Sequence, residues 1–132
     1  MVWPVSVKGV LTDRQKRVCL LQNERDEWEL PGGRLERGET PEKCLKREIR
    51  EELGIPVDVE RLLDVWVYEV QPGAEVLIVT YRCHWDGKDI PRISDEHTAM
   101  GWFDRGEISG LRIPEGYLRA IFSVQGVSPK RS

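Results

Sequence analysis

Long apolar runs are missing from this chain. Nothing in its 132 residues approaches the roughly 20 consecutive apolar positions needed to cross a bilayer. The opening MVWPVSVKGV also lacks the charged start and extended apolar core of a secretory signal. Both absences predict a cytoplasmic protein with no membrane partner. Cysteine is scarce: Cys19, Cys44 and Cys83 form an odd set with no CxxC spacing, and each lies in an apolar run. That pattern excludes a disulfide framework and predicts reduced, buried thiols. His84 and His97 have no spacing that would complete a zinc site with them. Excess positive charge is absent as well. The formal net charge is −3 and the 20 basic residues are scattered along the chain, which argues against a groove for a nucleic-acid polymer.

What remains is the profile of one ordinary domain spanning 1–132, with 39 % hydrophobic residues to build a core and no internal repeat. Val5 to Leu11 and Arg17 to Gln22 read as strands joined by a polar turn, and Trp28 to Leu30 as a short strand entering Pro31-Gly32-Gly33. Val57 to Val70 and Glu75 to Trp85 read as two more strands. The run Val76-Leu77-Ile78-Val79 is apolar on both faces, as in a central strand covered on both sides. A helix is predicted from Thr40 as N-cap and Pro41 at the first turn through Leu53, stopping at Gly54, with Leu45, Ile49 and Leu53 as its apolar stripe. A second helix is predicted over 114–124, and 125–132 reads as a flexible tail. Strands and helices in this order predict an α/β (α+β) fold, a mixed sheet sandwiched between helices.

The chemistry concentrates in the 23 residues from Gly33 to Ile55, GRLERGETPEKCLKREIREELGI. On the predicted helix, Glu48 and Glu52 stand at i, i+4 and Glu48 and Glu51 at i, i+3, so three carboxylates share one side. Like charges at that spacing destabilise an isolated helix by a few tenths of a kcal/mol per pair. A hard divalent cation offsets the repulsion, since Mg²⁺ is held by a few carboxylates together with waters and substrate phosphate oxygens. Ion pairing with Lys43, Lys46, Arg47 and Arg50 on a solvated face is the bland alternative. The adjoining glycine pair lets the backbone turn tightly and approach a metal or phosphate.

Written as a pattern, Gly33, Glu39, Arg47, Glu48, Ile49, Glu51, Glu52, Gly54 and Ile55 match the signature of the Nudix (MutT-like) hydrolases at every fixed position. Such a match arises by chance about once in a million. The resemblance implies a Nudix-type α/β/α sandwich and Mg²⁺-dependent hydrolysis of a nucleoside diphosphate linked to some group X, with Mn²⁺ as a substitute. The substrate is then a nucleoside triphosphate, ADP-ribose or a nucleotide sugar. It further implies Glu51 and Glu52 as metal ligands, Glu48 as ligand or general base, and the Gly33 carbonyl as a further ligand. Arg47 orients a catalytic carboxylate, supported by Glu39. A later loop supplies one more carboxylate, Glu96 with Asp95 in reserve. Replacing Glu51 or Glu52 by Gln is expected to abolish hydrolysis and leave the fold intact, as for any exposed charge. A fold-sharing nucleotide-binding module without turnover predicts a damaged carboxylate set, and here that set is complete. Base-reading residues are not legible: Asn23 is the only asparagine, and Trp28 is one of five tryptophans. A homodimer is left open.

Overall fold

The computed structural model describes residues 3–95 and 97–125. Seven strands form one mixed sheet: β1 (Val5–Thr12), β2 (Val18–Gln22), β3 (Trp28–Glu29), β4 (Gly32–Arg34), β5 (Asp58–Gln71), β6 (Ala74–His84) and β7 (Ala99–Phe103). Helix α1 (Pro41–Leu53) connects β4 to β5, and α2 (Arg105–Ile108) and α3 (Glu115–Val124) follow β7. The main path runs β3-β2-β1-β6-β5, with β4 added to β1 and β7 to β2. Strand β1 pairs in parallel with β6 from Val5↔Leu77 to Thr12↔His84, while its other partners are antiparallel.

Alternation along β1 and β2 divides the core into two layers. Val7, Leu11, Cys19 and Leu21 point to the α1 side, where Cys44, Leu45, Ile49 and Leu53 meet them. Val10, Val18 and Leu20 point to the other side, against Tyr117, Ala120 and Ile121 of α3. The helix layers therefore lie on opposite faces of the sheet. Gly9 brings α1 close, because a Cβ there would stand 2.7 Å from Cys83 Sγ and 3.3 Å from Leu45.

The ends of α1 follow the local chemistry. Thr40 Oγ1 accepts from Lys43 N–H at 3.2 Å, and Gly54, at φ 70°, donates its N–H to the Arg50 carbonyl at 2.9 Å. Pro72 and Gly73 link β5 to β6 as a tight turn, with φ 80° at Gly73.

The elements differ from expectation in two places. Strand β6 is central, yet only Val76 and Ile78 of its apolar run are buried, in the layer packed with α3, while Leu77 and Val79 are half-buried. Gln125 caps α3 through its N–H to the Ile121 carbonyl, and 126–132, the rest of the expected tail, lie outside the described residues. Strands β4 and β7 and the short α2 had no counterpart in the sequence reading. Among the described residues, no helix is long and apolar enough to cross a membrane.

Candidate active site

The glycine pair is not a free turn. It is strand β4, laid against β1 with Lys8↔Gly32 and Val7↔Gly33 as partners. Gly32 has φ 137°, and a side chain there would collide with the Val7 carbonyl. Its N–H is thereby aimed at α1, where it donates to Glu52 Oε1 at 2.8 Å. Gly33 lies so close to Glu48 that a Cβ would run into that carboxyl group. Strand pairing with β1 thus sets the backbone of the loop against two of the helix carboxylates.

Arg47 ties the same helix to the loop. Its Nε donates to Glu39 Oε2 at 2.6 Å, and Nη2 donates to Glu39 Oε1 at 3.0 Å and to the Arg34 carbonyl at 3.1 Å. Nη1 donates to Glu48 Oε1 and Glu51 Oε1, both at 3.1 Å. The two bonds from Arg47 hold the Glu39 carboxyl down to about 2. A lysine has a single nitrogen and cannot hold this fork. On the expectation that Arg47 orients a catalytic carboxylate, Arg47→Lys should lower kcat by about 10- to 100-fold with KM little changed. Steady-state kinetics on the folded variant checks this.

Two adjoining cavities share Glu48 and Glu52. One, of ≈ 490 Å³, is lined by Glu48, Glu51, Glu52, Ser94 and Asp95. The other, of ≈ 410 Å³, adds Gly32, Gly33, Glu29, Asn23 and His97, with Arg25 and Arg34. Glu51 is exposed, as expected for a charged helix face, but Glu52 is only 5 % exposed. Treating it as a surface charge is therefore corrected: Gly32 and the loop before β7 cover it. Burial pushes the Glu52 carboxyl up to about 7 despite Lys8, the Gly32 N–H and His97, and raises Glu48 against the pull of Arg47. Asp95 lies at the cavity wall, whereas Glu96 falls outside the described residues.

These groups suit a hard divalent cation. Their donors are oxygens, and buried carboxylates with raised pKa values are short of positive charge. Among the described residues, no three His, Cys, Asp or Glu side chains are already drawn into a cage. Arg47 holds Glu48 and Glu51, and Gly32 holds Glu52. A site for Mg²⁺, which keeps several waters, does not require a closed protein cage.

Three polar residues behind the carboxylates went unrecognised in the sequence. Lys8 is buried and donates from Nζ to the Leu30 carbonyl at 3.2 Å. Burial opposes its charge, but Tyr117, Glu29, Glu52 and Glu48 outweigh that and raise its pKa. Burial likewise opposes the charge of Glu29, yet bonds with His97 and Asn23 and the charge of Lys8 bring it down to about 2. His97 Nε2 stands 3.4 Å from Glu29 Oε1 and 3.6 Å from Glu52 Oε2. The available signal was a lysine inside a mostly apolar strand. Asn23 is engaged in its turn: Oδ1 accepts from Arg25 N–H and Glu27 N–H, and Nδ2 donates to Glu29. Trp28 packs edge-on against Phe103 with ring centroids 4.9 Å apart.

Comparison with known proteins agrees with this geometry. The NUDIX domain model matches residues 2–121. A MutT-like protein of Streptomyces ambofaciens is 35 % identical over 127 residues, covering 95 % of this chain and 79 % of the relative. An 8-oxo-dGTP diphosphatase of Proteus vulgaris is 41 % identical over 66 residues, 46 % of this chain and 59 % of the relative. In fold, a MutT protein from Methanosarcina mazei Go1 aligns with a TM-score of 0.78 at 23 % identity, covering 92 % of this chain and 91 % of the other. With the complete box on its helix and a domain match over nearly its whole length, the chain belongs to the Nudix hydrolase family.

Proposed function

We propose that this chain is a Mg²⁺-dependent pyrophosphohydrolase acting on a nucleoside diphosphate derivative, with nucleoside triphosphates as the preferred class. The observation that carries the reading is the placement of Glu48 and Glu52 at the junction of two cavities, one edged by acidic residues and the other by Arg25 and Arg34. The acidic side suits cations and the arginines suit phosphate oxygens. The triphosphate preference draws support from the Proteus relative, whose name records an activity on 8-oxo-dGTP.

Glu51, Glu52 and the Gly33 carbonyl would hold the cation, with a carboxylate from the loop of Asp95 and Glu96. When bound, it supplies a Lewis acid that spreads charge developing on the phosphate oxygens. Glu48 is the general base. Arg47 fixes its Oε1, and among the described residues no hydrogen bond reaches Oε2, which can take a proton from the attacking water. Arg47 keeps that carboxylate oriented through its fork on Glu39. Hydrolysis of a triphosphate in this site yields a nucleoside monophosphate and pyrophosphate.

The test is product analysis with nucleoside triphosphates, ADP-ribose, nucleotide sugars and dinucleoside polyphosphates, with and without chelator. Chelator-sensitive release of pyrophosphate from triphosphates is expected. The rate should fall as pH drops below about 7, because Glu52 then gains a proton that competes with the cation. Cleavage of ADP-ribose alone would overturn the substrate class. A folded protein that cleaves nothing in the panel would favour a nucleotide-binding module without turnover.

A further inference from the structure

His97 occupies a place that the box does not explain. The loop ahead of β7 is stitched to the end of α1 by its backbone: Arg92 N–H donates to the Leu53 carbonyl at 2.8 Å and Ser94 N–H to the Glu52 carbonyl at 2.9 Å. These are last-turn carbonyls that have no partner within a helix. Thr98 N–H ties the other end of the loop to the Gln22 carbonyl of β2 at 3.3 Å. Between these anchors the His97 ring turns inward, its side chain 8 % exposed, and Nε2 faces carboxylates on two separate elements, Glu29 on β3 and Glu52 on α1.

Which ring nitrogen carries the proton follows from the partners. The Glu29 carboxyl, held down to about 2, only accepts, so Nε2 donates to it, while Nδ1 is buried and has no hydrogen-bond partner among the described residues. That N–H bonds Glu29 Oε1 at 3.4 Å, a long contact, while Glu52 Oε2 at 3.6 Å stands beside it just beyond hydrogen-bond distance. Glu29 is anchored on its far oxygen by Asn23 Nδ2 at 3.3 Å, and Glu52 by Gly32 N–H at 2.8 Å. Lys8 also faces this group and adds positive charge beside both carboxylates. The donor has a fixed place, and of the two carboxylates beside it Glu52, not Glu29, also opens on the cavity lined by Glu48 and Glu51.

We propose that His97 is a positioning residue that, hydrogen-bonded to Glu29, holds the loop before β7 against the end of helix α1 and keeps Glu52 Oε2 placed for a divalent cation. The proposal rests on the reading of Glu52 as a metal ligand. It gives Glu29 a role as the fixed acceptor of the His97 N–H, so that Glu52 Oε2 stays open to the cation without leaving a buried donor unpaired. It also makes the position of Asp95, two residues away on the same loop, depend on His97.

The test uses the intact chain and the metal alone. Mn²⁺ binding is followed by electron paramagnetic resonance for the wild type, His97→Phe and His97→Gln, alongside kcat and KM. Phenylalanine keeps the ring and removes the donor, whereas glutamine restores an N–H. His97→Phe is expected to bind Mn²⁺ about tenfold more weakly, with a fall in kcat that His97→Gln largely rescues. In the wild type, the ¹⁵N resonance of His97 Nε2 should move on saturation with Mg²⁺. Equal Mn²⁺ affinity in wild type and His97→Phe overturns the positioning role. If His97→Phe does not fold, the wild-type resonance decides, and a signal unmoved by Mg²⁺ overturns it. A wild type that binds no Mn²⁺ removes the metal reading of Glu52 itself, and the positioning role with it.

Discussion

Glu48→Gln is expected to lower kcat by about 10²- to 10⁴-fold, the range lost when a general base is removed, while the protein stays folded. The amide keeps an oxygen for Arg47 Nη1, whose present bond to Glu48 Oε1 measures 3.1 Å, so the clamp on Glu39 and the Arg34 carbonyl survives. It also removes a partly buried charge whose pKa burial has already raised, which lessens a folded-state cost. A loss of turnover therefore comes with a melting temperature near that of the wild type. Stopped-assay kinetics and a thermal melt on the same sample check both halves. A variant with wild-type kcat would transfer the role of base to another carboxylate.

The second large effect separates two neighbouring glycines. Gly32→Ala is expected to destabilise the fold by about 3 kcal/mol or more, because the backbone at φ 137° is strained for any side chain and the new methyl meets the Val7 carbonyl of a paired strand. The obstacle is main chain and has no rotamer to escape into. Gly33→Ala differs in what it strikes: its methyl runs into the carboxyl end of Glu48, a side chain that can rotate away. The fold is then retained while Glu48 is displaced, with a fall in kcat approaching that of Glu48→Gln. Thermal unfolding and kinetics on the pair give opposite patterns, and equal loss of stability in both would defeat the distinction.

The parts of this fold that were legible in the sequence are those whose chemistry is local. Thr40, Pro41 and Gly54 announce the limits of α1 without reference to the rest of the chain, and Leu45, Ile49 and Leu53 identify its buried stripe. Strand β4 was hidden because two glycines read as a turn, and its strand character comes from β1, which lies far away in sequence. Strand β7 carries Gly101 at its centre and gains its place by pairing with β2. The Asp104 to Glu107 capping box of α2 was readable and went unread. In the site, helical spacing placed Glu48, Glu51 and Glu52 near one another, but spacing cannot show which of them another segment covers. The burial of Glu52, and the approach of His97 and Lys8 to it, arise where three separate stretches of chain converge.

The parallel pairing of β1 with β6 has a consequence for how the molecule is made. A strand beginning at Val5 finds its partner only at Leu77–His84, so its principal contact has a very large sequence separation. Contacts of this kind incur the entropy of closing a long loop before any gain from pairing, which slows folding. During synthesis, the amino-terminal strand and the whole glutamate helix leave the ribosome before the central strand that completes the sheet. Until β6 arrives, β1 presents an open edge, and the glycine segment that depends on β1 has no settled support. The charged helix and the cation it would bind thus mature late, as products of long-range closure rather than as its nucleus.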